Sequence, residues 1–207
     1  MNVFIGIDPS VNSTGLTIRN DEGYCQFFII KEDHLTKKEK KAALDYADIF
    51  HYCHYLKEDV GKTENAFQRE LAKAHNLSNI ADTIYNVIWE VLRQWKIQTS
   101  ESTIESITIC MEGISYGSIH SAAVMDLAGL NYLIRDRLHH HSVVGTLYVA
   151  PPAEIKKYAT GQGNANKELM VTTFKGSFPD FDLPKIDDIS DSWFMSKYAQ
   201  YMFENKH

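Results

Sequence analysis

No stretch of this sequence approaches the ~20 consecutive apolar residues needed to cross a bilayer. The opening Met1-Asn2-Val3-Phe4-Ile5-Gly6-Ile7-Asp8 has neither the basic start nor the long apolar core of a secretory signal. No membrane partner is therefore expected. Cysteine is scarce: Cys25, Cys53 and Cys110 are odd in number, far apart and without a C-x-x-C pair, so a reduced, cytoplasmic compartment is expected. Positive charge is not in excess either. Lys and Arg number 21 against 27 Asp and Glu, a formal charge of −6, which does not advertise a nucleic-acid binder. Internal repeats and low-complexity tracts are absent, which excludes solenoids and repeat arrays.

What is there is a 207-residue chain, 44 % hydrophobic and 23 % charged. That suits one domain, residues 1–207, with its own core; neither disorder nor a coiled coil fits. Residues 3–8, 14–19 and 24–30 alternate with turn-rich breaks and read as an antiparallel meander of three strands. Residues 31–73 carry nine basic and nine acidic residues, no proline and one glycine, and read as a helical insertion after the third strand. Phe67, Leu71, Ile80, Ile84, Val87, Ile88, Val91, Leu92 and Trp95 fall largely at three- and four-residue steps, the mark of a long amphipathic helix. A strand at 106–112, a helix at about 120–138, a short strand at 146–150, short helices and a final helix from about 188 complete the order. The whole is an α/β fold: a mixed five-stranded sheet with flanking helices.

Two of these strands end in single acids, Asp8 and Glu112. A carboxylate there leaves the sheet at its rim, where sites in such folds gather. Near the other end, Asp187, Asp188 and Asp191 cluster, and Asp188 and Asp191 share one face of a helix. Carboxylates brought into one pocket repel unless a cation compensates. Hard oxygen donors suit Mg²⁺, with Mn²⁺ as a substitute. Two such ions ~4 Å apart would activate water and stabilise a leaving oxygen in phosphodiester hydrolysis.

Gly6-Ile7-Asp8-Pro9-Ser10 with Thr14-Gly15 resembles the opening motif of the RuvC family of Holliday junction resolvases. Glu112 resembles its second acid. The segment 151–167 is similar to its proline, basic helix and G-x-G-x-A-x-K run, and Asp188-Ile189-Ser190-Asp191-Ser192 is similar to its closing D-x-x-D-[AS] motif. Ser10 stands where a glycine is usual, and residues 31–73 lengthen the gap between the first two acids, which suggests a divergent, phage-type member. The resemblance implies an RNase H-like fold. It also implies a homodimeric endonuclease that nicks four-way DNA junctions symmetrically, using two ions per active site. Asp8 would bridge the ions, Glu112 and Asp188 would complete the ligand set, Asp191 would hold the second ion, and Lys167 would orient or neutralise the scissile phosphate. Tyr116 would stack on bases, and Lys156, Lys157, Gly161, Gly163 and Lys167 would contact DNA. Residues 151–175 hold four Lys against two Glu, so local charge there favours DNA even though the sum does not. Ala122, Ala123, Ala128 and Gly129 make the 120–138 helix a candidate dimer interface, or else let it pack within the chain.

Other patterns compete with this reading. Gly113-Ile114-Ser115-Tyr116-Gly117 fits the G-x-S-x-G nucleophile elbow, but its partners, Asp126 or Asp136 with one of His139–His141, fall on or at the end of one helix. His51, Cys53 and His54 suggest zinc without a second ligand pair at a suitable spacing. An actin- or sugar-kinase-like ATPase would share the meander and first acid, yet needs a second domain and phosphate loops; 161–163 lacks the G-K-[ST] of a Walker loop. A branch or flap nuclease on the same scaffold, or a non-catalytic branched-DNA-binding protein, would carry the same motifs.

Overall fold

In the computed structural model, residues 1–32, 34–59, 61, 65–98, 103–114, 122–140 and 145–205 are described. Their elements run β1 (Asn2–Asp8), β2 (Thr14–Asn20), β3 (Cys25–Glu32), α1 (Lys37–Asp45), β4 (Phe50–Tyr55), α2 (Ala66–Gln98), β5 (Ser106–Glu112), α3 (Ala122–His140), β6 (Thr146–Ala150), α4 (Pro152–Thr160), α5 (Lys167–Lys175) and α6 (Ile186–Glu204). The sheet order is β4-β3-β2-β1-β5-β6. β2 runs antiparallel to both neighbours, whereas β1–β5, β5–β6 and β3–β4 are parallel.

Strand alternation divides the core into two layers. Val3, Ile5, Ile7, Leu16, Ile18, Ile107 and Ile109 face α2 and α3, meeting Ile80, Ile84, Ile88, Leu130 and Ile134. Phe4, Phe27, Ile29, Phe50 and Cys110 face the opposite way, onto Ile155, Phe174, Ile189, Phe194 and Met195 of α4, α5 and α6. Phe27 meets Phe178 edge-on at 5.3 Å, and Phe174 meets Trp193 at 5.5 Å. This aromatic knot ties the loop before α6 to the sheet. No helix among the described residues is long and apolar enough to cross a membrane.

α6 lies unusually close to the sheet, and two glycines make that possible. A Cβ on Gly6 would sit 1.8 Å from the Ser192 carbonyl oxygen, and one on Gly15 would sit 2.2 Å from that of Asp188. No side chain fits at either place. Buried Ser190, Ser192 and Ser196 keep the facing side of the helix small, and the Thr17 and Ser192 hydroxyls are hydrogen-bonded at 2.8 Å.

Two expectations are corrected. The sheet has six strands, not five, and the 31–73 segment is not a helical insertion throughout. It contributes α1, then the edge strand β4, and only then the start of α2. Phe-His-Tyr-Cys-His-Tyr is aromatic-rich, and Phe50 and Tyr52 reach one core layer while Cys53 and Tyr55 reach the other. That period of two is the strand signal which the surrounding charge masked. Thr36 and Glu39 close a reciprocal capping box on α1, the T-x-x-E signature of a helix start.

Candidate active site

Adjacent register brings the first two acids together. In the parallel β1–β5 pair Ile7 lies opposite Met111, so the next residues, Asp8 and Glu112, leave neighbouring strands side by side. The third and fourth acids arrive on the first two turns of α6, held down by the Gly6 and Gly15 contacts. Ser13, in the β1–β2 turn, donates to Asp188 Oδ2 at 2.7 Å. The buried Asn131 of α3 donates to the Glu112 carbonyl at 2.9 Å and fixes the end of β5. Asn131 was not among the residues singled out in the sequence; a lone amide within a helical pattern gives no local signal.

The electrostatics are those of crowded carboxylates. Asp8 is raised well above the ordinary carboxyl value by burial and by the charges of Glu112, Asp191 and Asp188. Burial also raises Glu112, although Asp8, Lys156 and Lys167 pull it back. Asp188 is raised by burial against the Ser13 hydrogen bond. Asp191 is pushed up to about 6 by burial and by Glu112. Asp187 behaves differently: partial burial is overridden by the Lys167 ammonium, 2.7 Å from its Oδ2, and it lies below its ordinary value.

Among the described residues, no three carboxylate, histidine or cysteine side chains are already arranged to hold a metal ion. The donor chemistry nonetheless fits a hard divalent cation: four carboxylates share one rim, and each is driven toward its protonated form. A cation would replace the protons and draw the carboxylates inward.

The basic residues divide. Lys156 on α4 and Lys167 at the first position of α5 act electrostatically on Glu112 and Asp191, while Lys157 is exposed one residue further along. Gly161, at φ 80°, ends α4 in the left-handed conformation. Gly163 passes Ala153, whose carbonyl oxygen would be 3.1 Å from an added Cβ. A left-handed helix end suits glycine at 161, and a close backbone approach suits it at 163. Tyr116, Ser115 and Gly117 lie outside the described residues, as does His141.

Asp126 and Asp136 both belong to α3, where they pair with Lys73 and Arg137. On the strand β4, His51 and Cys53 share a face, but they are not part of a metal-ready group among the described residues. Burial holds the Cys53 thiol up at about 11, which disfavours the thiolate that a metal needs. Gly129 packs on Leu77 of α2, 3.4 Å from an added Cβ, so this small residue serves packing within the chain. Ala122 and Ala123 are exposed.

The sequence matches no protein-family model and no curated protein. Solved structures do match over nearly the whole chain. A Thermus thermophilus RuvC structure aligns with TM-score 0.50 at 15 % identity, covering 98 % of this chain and 95 % of that one. T. thermophilus RuvC in complex with Holliday junction substrate aligns with TM-score 0.50 at 13 % identity, covering 98 % and 96 %. The yeast mitochondrial Holliday junction resolvase Ydc2 gives 0.47 at 13 %, covering 98 % and 80 %. At such identities the likeness is in architecture, and the chain has the RuvC-like fold.

Proposed function

We propose that this chain is a Holliday junction resolvase, a divalent-metal-dependent endonuclease that makes paired, symmetric nicks in four-way DNA junctions as a homodimer. The observation that carries the reading is the convergence of Asp8, Glu112, Asp188 and Asp191 on one rim of a RuvC-like sheet. In this reading Asp8, Glu112, Asp188 and Asp191 hold two Mg²⁺ ions, for which Mn²⁺ substitutes. Bound there, the ions supply an activated water and charge stabilisation for the leaving oxygen. Ser13 orients Asp188, and the Asn131 hydrogen bond sets the height of Glu112. Lys167 neutralises phosphate charge once released from Asp187, with Lys156 beside it. A two-fold substrate cut twice calls for two related sites. The exposed apolar side chains Phe67, Leu71, Met125 and Tyr132 on α2 and α3 support an interface there. Three free thiols suit a reducing cytoplasm.

The test is cleavage of a mobile four-way junction with and without Mg²⁺, beside three-way and flap substrates. Paired nicks on the four-way junction support the proposal. Cleavage confined to flaps or three-way forks would reassign the chain to a branch nuclease.

A further inference from the structure

A groove of about 400 Å³ opens beside the acid cluster, on the side away from α4 and α5. Its charged lining is Lys31, Lys57, Lys73 and Lys185 against Glu32 and Asp126. Ser13 belongs to both places: it lines the groove and donates to Asp188. The groove therefore adjoins the acids at Asp188. Three of its four cations, Lys31 at the end of β3, Lys57 just beyond β4 and Lys73 near the start of α2, come from the 31–73 segment that adds the sixth strand.

Three of the four ammonium groups are already engaged. Lys31 pairs with Glu39 at 2.8 Å, Lys57 with Glu32 at 2.5 Å, and Lys73 lies 3.6 Å from Asp126. Lys185 has no such pair among the described residues; its charge acts on Asp188, three residues on. Its backbone is the other anomaly. At φ 63° Lys185 is the one non-glycine residue with positive φ among the described residues, a conformation that a Cβ makes costly. Its side chain makes no capping bond to α6, so helix capping does not explain why a lysine stands there. Glycine or asparagine would sit at this position with less strain.

We infer that this groove takes a backbone phosphate of the substrate strand next to the one cleaved, and that Lys185 is the positioning residue that receives it. The inference rests on the reading of the chain as a DNA-junction nuclease. With Lys156 and Lys167 on one side of the acids and Lys185 on the other, a strand crossing the rim meets cations before and after the carboxylates. That placement lets a chain of net charge −6 hold DNA, since local charge governs phosphate contact.

The experiment measures binding of a labelled four-way junction in Ca²⁺, which occupies hard carboxylate sites, at several salt concentrations. Wild type, Lys185→Asn, Lys185→Arg and Lys185→Gly are compared, each with its melting temperature. Lys185→Asn is expected to melt no lower than wild type, because asparagine accepts the left-handed backbone. It should bind roughly three- to tenfold more weakly, with a log–log salt slope reduced by about 0.9 on duplex phosphate. Lys185→Arg should bind within about twofold of wild type. Lys185→Gly, which takes the left-handed backbone without strain, should flatten the slope in the same way and keeps the test usable should the other Lys185 variants misfold. Wild-type affinity and slope in folded Lys185→Asn, or in Lys185→Gly if the former misfolds, would overturn the inference. Failure of the wild-type chain to bind the junction would instead overturn the proposed function.

Discussion

Asp8 and Glu112 leave the neighbouring parallel strands β1 and β5 side by side, and burial lifts both carboxyls above their ordinary values. A buried pair of acids is compatible only if one keeps a proton or a cation takes its place. The fold therefore stores repulsion at one rim, and the Gly6 and Gly15 contacts press Asp188 and Asp191 into the same region.

Replacing Asp8 by Asn removes one of the repelling charges while keeping the side-chain shape. In EDTA at neutral pH, Asp8→Asn should melt higher than wild type. Mg²⁺ should raise the melting temperature of wild type more than that of the variant, since a ligand stabilises the state that binds it. Thermal unfolding with and without the ion reads both effects.

The same acids set a pH dependence for the metal-free chain. Asp191 titrates at about 6 in the folded chain against an ordinary 3.8, so between about pH 4 and pH 6 the folded state holds more protons than the unfolded one. Stability contributed by this group falls as pH rises through that window. Denaturant midpoints in EDTA should decline across it, and Asp191→Asn should flatten the decline.

Much of this was legible in the sequence because short patterns carried it. The apolar runs ending in Asp8 and Glu112, the three-residue spacing of Asp188 and Asp191, and the amphipathic stripe from Leu71 to Trp95 each state their own geometry. β4 was not legible in that way. Its six residues sit among charges, and their strand character emerges only when β3 supplies an edge to pair with and Phe50 a core to enter. Asn131 and Lys185 were equally silent, since a hydrogen bond to the carbonyl of a distant strand and a left-handed backbone leave no local pattern.

Gly6 is a sharper test of how the acids are held. Alanine there puts a Cβ 1.8 Å from backbone that cannot yield cheaply, so α6 must lift from β1. Gly6→Ala should cost about 3 kcal/mol or more, seen by denaturant unfolding, and should weaken Mg²⁺ binding even in the fraction that folds. Gly23→Ala, where nothing lies within 4 Å, should affect only local backbone strain in a turn remote from the acids.

The edge strand is expected to be structural as well as functional. Phe50 is fully buried, and Phe50→Ala should cost roughly 3–5 kcal/mol, lowering the melting temperature on the order of 10 °C. Deleting 34–62 would strip the cover from Phe27 and Phe28. It should yield an unstable chain and not a trimmed enzyme, as circular dichroism on heating would show.

Whether the four carboxylates form the cutting centre is decided by junction cleavage in Mg²⁺, and junction binding by gel shift, for wild type and for Asp8→Asn, Glu112→Gln, Asp188→Asn and Asp191→Asn. Wild type should make metal-dependent paired nicks, each variant should be slower by on the order of 10³ or more, and binding should be retained or tightened, because phosphate contacts come from other residues. Near-wild-type cleavage by Asp8→Asn would contradict that role for the carboxylates.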